Sequence, residues 1–135
     1  IDVSLDIDPA IPDITAEHNR LEQVFINLVS NAIDPMDEKS SQPDARKSPK
    51  RLTIKSFVEN DQVMVHVADT GTGMSEEVKN KIFEPFFTTK KVGKGTGLGV
   101  SISYGIVKDY GGRIEIDSQI GTGTTFKLTF PAVNA

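Results

Sequence analysis

Val3, Leu5 and Ile7 alternate with polar neighbours at the start of the chain, and Pro9 and Pro12 close this period-two run. Such alternation predicts a first strand. From about Ala16 to Ile33 the period changes. At about 100° per residue, Leu21, Phe25, Leu28, Val29, Ala32 and Ile33 share one broad apolar face, and Arg20, Gln23, Asn27, Asn31 and Asp34 gather opposite it. Pro35 lacks the N–H that would pair with the Asn31 carbonyl, so the helix is expected to end or kink there.

Period two returns near Leu52–Val58 and Val63–Ala68, with Asn60-Asp61 between them as a hairpin turn. In the second of these strands Val63, Val65 and Val67 point one way, and Asp69 falls on the same parity. That is an odd place for a carboxylate. Ser75 is a candidate N-cap for a short helix reaching Phe83, with Glu76 and Glu77 favoured in its first turn. Pro85 to Gly99 is irregular and too long for a passive connection. Ile102, Ile106 and Val107 then mark a helix ending at Gly111-Gly112. Two last strands follow, near Arg113–Ser118 and Thr124–Phe130, with Ile114, Ile116, Phe126, Leu128 and Phe130 inward and Thr124 on that inward parity. Interleaved helices and strands with antiparallel hairpins fit a mixed sheet covered by helices. Neither an internal repeat nor a second domain is apparent.

Composition narrows the classes. The chain has 135 residues, enough for one domain with a real core, and is 37% hydrophobic and 25% charged. Having no cysteine, it forms no disulfide, zinc–thiolate or iron–sulfur site and has no thiol nucleophile. No apolar run approaches the roughly 18 residues of a membrane helix, and no signal-peptide pattern opens the chain. The expected location is the cytoplasm, either for a free protein or for the cytoplasmic part of a membrane-bound one. Ile1 in place of Met points to a domain within a longer protein. A net charge of −4 argues against a general nucleic-acid binder. Charge is uneven, however. Arg20 is the only lysine or arginine before Lys39, and then Lys39, Arg46, Lys47, Lys50, Arg51 and Lys55 follow with Asp44 as the sole acid among them. Interspersed Ser40, Ser41, Pro43, Ser48 and Pro49 make the first dozen of these residues a solvated loop, a basic insertion at about 38–50.

Glycines carry the chemistry. Three clusters stand out: Asp69-Thr-Gly-Thr-Gly-Met74, Gly93-Lys-Gly-Thr-Gly-Leu-Gly99 and Gly121-Thr-Gly-Thr-Thr-Phe126. None has the spacing of a P-loop or of a dinucleotide fingerprint. The second lies immediately before a helix, where close backbone approach and free N–H groups favour a phosphate.

Taken in order, Asn27-Leu-Val-Ser-Asn-Ala-Ile-Asp34, Asp69-Thr-Gly-Thr-Gly73, Phe83-Glu-Pro-Phe-Phe-Thr-Thr-Lys90, Gly95-Thr-Gly-Leu-Gly99 and Gly121-Thr-Gly-Thr-Thr-Phe126 resemble the motifs of the catalytic ATP-binding domain of sensor histidine kinases. The resemblance runs from about Val3 to Pro131. It implies the Bergerat nucleotide-binding fold shared with DNA gyrase: an α/β sandwich with a mixed, mostly antiparallel sheet, helices on one face, and an ATP lid at about 85–99. It further implies ATP and Mg2+ as cofactors. The γ-phosphoryl group would go to a histidine on a dimerisation hairpin upstream in the same protein, for relay to a response regulator. The isolated domain is then expected to be a monomer.

The residues add their own chemistry. A carboxylate at Asp69 is expensive to desolvate unless a donor meets it. Adenine's exocyclic amine is such a donor, whereas guanine presents an acceptor there. The other reading of Asp69 is an Asx turn before Gly71. By resemblance Thr124 joins Asp69 around the adenine, usually with water, and Gly71 and Gly73 belong to the same ATP-binding loop. Asn27 and Asn31, four residues apart, lie on one helix face. Their amide oxygens are hard neutral donors that suit magnesium. The resemblance makes Asn31 the direct ligand and Asn27 a ligand or its support, and both count as catalytic. An amide at 27 cannot act as a base, so water attack is not promoted, whereas an imidazole brings its own lone pair. Lys90 and Lys91, with Gly95, Thr96, Gly97, Leu98 and Gly99, are expected at the phosphates. Phe83, Phe86 and Phe87 are expected to anchor the lid.

His18 is followed by Asn19 and His66 faces away from the valine side of its strand, so both read as structural. Thr70 stands where the family commonly has asparagine, and Pro35 where it commonly has alanine. The competing functions are a stand-alone serine kinase of the anti-sigma type and a hydrolytic ATPase, against which Asn27 and the Phe83–Lys90 stretch speak.

Overall fold

The structure, a computed structural model, describes residues 2–7, 16–40, 50–84 and 99–132. Eight elements follow one another: β1 (Asp2–Ile7), α1 (His18–Ser40), β2 (Arg51–Glu59), β3 (Gln62–Asp69), α2 (Glu76–Lys81), α3 (Gly99–Asp109), β4 (Arg113–Gln119) and β5 (Gly123–Pro131). The five strands form one sheet in the order β1-β2-β3-β5-β4. β1 runs parallel to β2 and every other pair is antiparallel. A parallel pair needs a long crossover, and α1 lies within it. The expected mixed, mostly antiparallel sheet is what forms.

Asn60 and Asp61 have φ of 52° and 60° between the closing pair Glu59 and Gln62. This is the two-residue, left-handed turn that matches strand twist. Ser75 caps α2 by accepting from the Val78 N–H at 3.2 Å. The C-terminus of α3 closes with Gly112 N–H donating to Val107 O at 2.9 Å and Gly111 N–H to Lys108 O at 3.0 Å, a Schellman pair.

The core lies between the sheet and the helices. Leu52, Val67, Phe126, Leu128 and Phe130 from the sheet meet Val24, Leu28, Ala32 and Met36 of α1 and Val100, Ile106 and Val107 of α3. The fold corrects the expected helix here. α1 does not stop at Ile33 but runs through Pro35 to Ser40. Met36, one residue beyond the proline, is 1% exposed. Burying it contributes about 1.5–3 kcal/mol, comparable to the roughly 3 kcal/mol that an interior proline costs.

Lys39 and Ser40, expected in the basic loop, are therefore helical, and 41–49 lie outside the described residues. The inward stripe is Val24-Leu28-Ala32-Met36, with Val24 fully buried, whereas Ile33 is 39% exposed and off the core. α2 is shorter than expected, and Ile102 of α3 points outward, with Val100 and Ser103 taking the buried positions. Gly99 begins α3 and so is not part of an irregular lid. Among the described residues no helix is long and apolar enough to cross a membrane.

Candidate nucleotide site

Strand register places Asp69, the last residue of β3, between Leu52 of β2 and Thr124 of β5. Asp69 and Thr124 are on the sheet face that the helices cover. The Asp69 carboxylate accepts from the Gly71 N–H at 2.8 Å, so the Asx turn forms. That bond uses one of about four lone-pair sites on a carboxylate and is compatible with a further donor.

Beyond Asp69 the glycine loop is fastened to the β4–β5 turn. Thr72 O accepts from Gly121 N–H at 2.8 Å, and Met74 N–H donates to Ser118 Oγ at 2.8 Å. Thr70, the departure from the family pattern, accepts from the Arg51 N–H at 3.0 Å. Two glycines are required by contact. A Cβ on Gly73, at φ +75°, would stand 2.1 Å from Gln119 O, and one on Gly123, at φ +139°, would stand 2.1 Å from Asp69 O. Thr124 is 6% exposed and its Oγ1 lies 2.8 Å from Ser118 Oγ. Asp69, Ser118, Gly123 and Thr124, together with Asp117 and Thr125 of the opposite strand parity, border a cavity of about 250 Å³.

A second group lies where α1 meets α3. Asn27 Nδ2 donates to Gly99 O at 3.3 Å and to Ser103 Oγ at 3.4 Å. The fully buried Ser103 in turn donates to Gly99 O at 2.9 Å. A Cβ on Gly99 would have Asn31 Nδ2 at 3.8 Å and Asn27 Cβ and Cγ at 3.9 Å, so both asparagines stand against the first residue of α3. Asn27 and Asn31 are both half-buried there.

Near its start α1 is tied to the end of α3. Arg20 binds Asp109 at 2.7 Å and lies over the Tyr110 ring at 5.4 Å, and Glu17 N–H donates to Tyr110 Oη at 2.9 Å. The hydrogen bond to Asp109 raises the Arg20 pKa further. Phe83 packs against the core and stacks on Tyr104 with centroids 4.8 Å apart.

Residues 16–134 match the family of histidine kinase-, DNA gyrase B-, and HSP90-like ATPases. The chain belongs to this family. It is 46% identical over 138 residues to the sensor kinase CckA of Brucella abortus, covering 96% of this chain and 14% of that protein. It is 40% identical over 131 residues to sporulation kinase E of Bacillus subtilis, covering 97% of this chain and 16% of that protein. The nucleotide-free catalytic domain of histidine kinase ThkA is 35% identical and superposes with a TM-score of 0.77, over 97% of this chain and 78% of that one. The chain therefore spans a small part of the curated relatives it matches and 78% of the ThkA catalytic-domain chain. It is a histidine kinase catalytic domain, the ATP-binding part of such proteins.

Within this histidine kinase domain, the structure brings Asp69, Gly71, Gly73 and Thr124 together at the sheet and Asn27, Asn31 and Gly99 together between the helices. Phe83 lies on the core side. Lys90, Lys91, Gly95, Thr96, Gly97, Leu98, Phe86 and Phe87 lie outside the described residues. Sequence reasoning missed Ser103 and Ser118. The signals were present: Ser103 is one helical turn after Gly99, and Ser118 shares the inward parity of Ile114 and Ile116.

Proposed function

We propose that this domain binds ATP with magnesium and delivers the γ-phosphoryl group to a histidine on a dimerisation hairpin elsewhere in the same protein, for relay to a response regulator. The observation that carries the reading is the orientation of Asn27. Its Nδ2 donates to two acceptors on the first turn of α3, Gly99 O and Ser103 Oγ. The amide is thereby fixed with its Nδ2 toward α3, which leaves Oδ1 as a hard, neutral donor. Asn27 and Asn31 suit magnesium, which supplies charge neutralisation at phosphate oxygens when bound.

In this reading Asp69 and Thr124 receive the adenine, and Gly71 and Gly73 let the backbone come close to it. Gly99, with Gly95, Thr96, Gly97, Leu98, Lys90 and Lys91, serves the phosphates. Phe83, Phe86 and Phe87 tie the lid to the core. Residues 1–135 form one domain with a basic insertion at about 41–50 and a lid at about 85–98. As an isolated domain it is a monomer; it acts in the cytoplasm and binds no nucleic acid.

Asn27 has no basic lone pair with which to deprotonate water, so the domain holds and orients ATP without hydrolysing it quickly. An imidazole attacks the γ-phosphorus with its own lone pair, the bond to the β–γ bridging oxygen breaks, and ADP leaves. Positioning contributes most of the rate.

The test is radiolabelling. The domain alone, given magnesium and γ-labelled ATP, is expected to bind it, turn it over slowly and remain unlabelled. With the hairpin added, acid-labile phosphohistidine is expected on the hairpin. Fast hydrolysis by the domain alone, or acid-stable phosphoserine on the partner, would overturn the reading.

A further inference from the structure

Ser103 is fully buried on α3, one turn beyond Gly99, and the other buried residues of that helix are Val100, Ile106 and Val107. A hydroxyl in such surroundings is costly to desolvate unless it is hydrogen-bonded, and alanine would suit the helix better. Ser103 Oγ lies 2.9 Å from Gly99 O and 3.4 Å from Asn27 Nδ2, which itself lies 3.3 Å from Gly99 O. A carbonyl can only accept, so the Ser103 proton goes to Gly99 O and the Ser103 lone pairs face Asn27. Any serine in a helix can bond back to its own helix in this way. What alanine cannot do is accept from Asn27. As found, the three groups make three hydrogen bonds. With the Asn27 amide turned over, Oδ1 would face both oxygens, and only the bond given by the Ser103 proton would survive. With alanine at 103 the count would be one bond against none. Serine thus widens the preference for the observed facing of Asn27 from one bond to two.

We infer that Ser103 is a positioning residue for Asn27: by accepting from Nδ2 it holds the amide with Oδ1 turned away from α3 and available to a metal ion. The inference rests on the reading of Asn27 as an oxygen ligand of magnesium. A single bond from Nδ2 would fix one distance and leave the amide free to rock about it. Two bonds from the same NH2 group fix the amide plane, and with it the direction of the Oδ1 lone pairs. An acceptor on the N–H side also makes the amide oxygen a better ligand, as outer partners of metal ligands generally do. At 3.3 and 3.4 Å both bonds are long, so the facing of the amide is set while its position keeps some play. Ser103 acts through Asn27 and need not touch metal or nucleotide.

Titration calorimetry with ADP, in magnesium and in EDTA, and with adenosine tests this. The unsubstituted domain is expected to bind ADP more tightly in magnesium. Loss of an outer partner of a metal ligand typically weakens the metal about ten- to a hundredfold. Gly99 O still holds the amide in Ser103→Ala, so the enhancement of ADP binding by magnesium should fall by less, about three- to tenfold. Adenosine, which carries no phosphate to bring a metal, should bind within about twofold of the unsubstituted domain. A merely structural serine would weaken adenosine and ADP together, so an unaltered magnesium enhancement overturns the inference. Asn27→Ala separates the two levels, because it should lower the enhancement further than Ser103→Ala does. An enhancement absent from the unsubstituted domain, or intact in Asn27→Ala, removes the metal reading of Asn27. One that falls in Asn27→Ala and stays unaltered in Ser103→Ala removes only the role of Ser103. Should the variants fail to fold, NMR of the unsubstituted, metal-free domain decides. Slowly exchanging Asn27 side-chain amide protons close to the Ser103 Hβ atoms support the assignment, and amide protons that exchange freely with water overturn it.

Discussion

The two halves of the site are built differently. Around Asp69 and Thr124 the parts are joined by strand register, by hydrogen bonds of 2.8 to 3.0 Å between side chains and backbone, and by glycines whose missing Cβ atoms leave room for carbonyl oxygens. Around Asn27 and Asn31 the parts belong to two helices that touch through side chains, with Asn27 reaching α3 at 3.3 and 3.4 Å and Arg20 clamping the helix ends at the surface. The sheet half is preformed, because displacing one residue would break a ladder. In the helix half the two bonds that Asn27 makes to α3 are longer, and that contact has room to adjust. A base needs shape and a fixed donor–acceptor pattern. A metal and its phosphates need ligands that settle around them.

The largest effect should come from the helix half. Asn31→Ala removes a side chain from the proposed metal position without touching the sheet. Phosphotransfer to the hairpin is expected to be lost, while adenosine, which has no phosphates, binds within about twofold of the unsubstituted domain, a change worth well under 1 kcal/mol. Normal phosphotransfer would exclude the role of Asn31. A large loss of adenosine affinity would mean that the two halves do not behave separately.

The rigidity of the sheet half can be graded with glycines. In Gly73→Ala the new Cβ collides with Gln119 O and the residue must also hold a positive φ. A loss of about 2–4 kcal/mol is expected, near the upper range for single substitutions. Gly121, at φ +86°, has open space where a Cβ would go. Gly121→Ala should therefore show the backbone term alone, about 1–2 kcal/mol. Thermal denaturation of the two variants measures the difference. Equal losses would mean that the loop yields to the collision and is not pinned.

How much of this was legible in the sequence follows the same division. Strands and turns could be read because period two and Asn60-Asp61 are local signals, and Asp69 betrayed itself by parity alone. The asparagine pair was visible from its four-residue spacing. What escaped depends on partners far along the chain. Pro35 carries a local stop signal, and only burial of Met36 shows why the helix overrides it. Val24 and Ile33 both look apolar, and which one is buried is set by how α1 lies on the sheet. Ser103 and Ser118 are unremarkable residues until Gly99, Asn27 and Thr124 are brought beside them.

The smallest effect concerns the far face of the sheet, on the same strand as Asp69. His66 stands in a row with Lys55 of β2 and Lys127 of β5, and the Phe57 ring meets it edge-on at 5.0 Å. Its Nε2 is buried without a hydrogen-bond partner. Burial first, then Lys127 and Lys55, hold its pKa below the ordinary 6.5, and Glu59 opposes them weakly. The unfolded chain therefore takes up a proton near 6.5 while the folded sheet resists it. Stability from this group is complete above about pH 6.5 and declines as pH falls toward the lowered folded value. Denaturation at pH 7.5 and 5.5 should show the unsubstituted domain losing more stability than His66→Gln, by a few degrees at most. Subtracting the two removes any contribution from His18. Identical pH dependence in both would mean that His66 is as easily protonated in the sheet as in water.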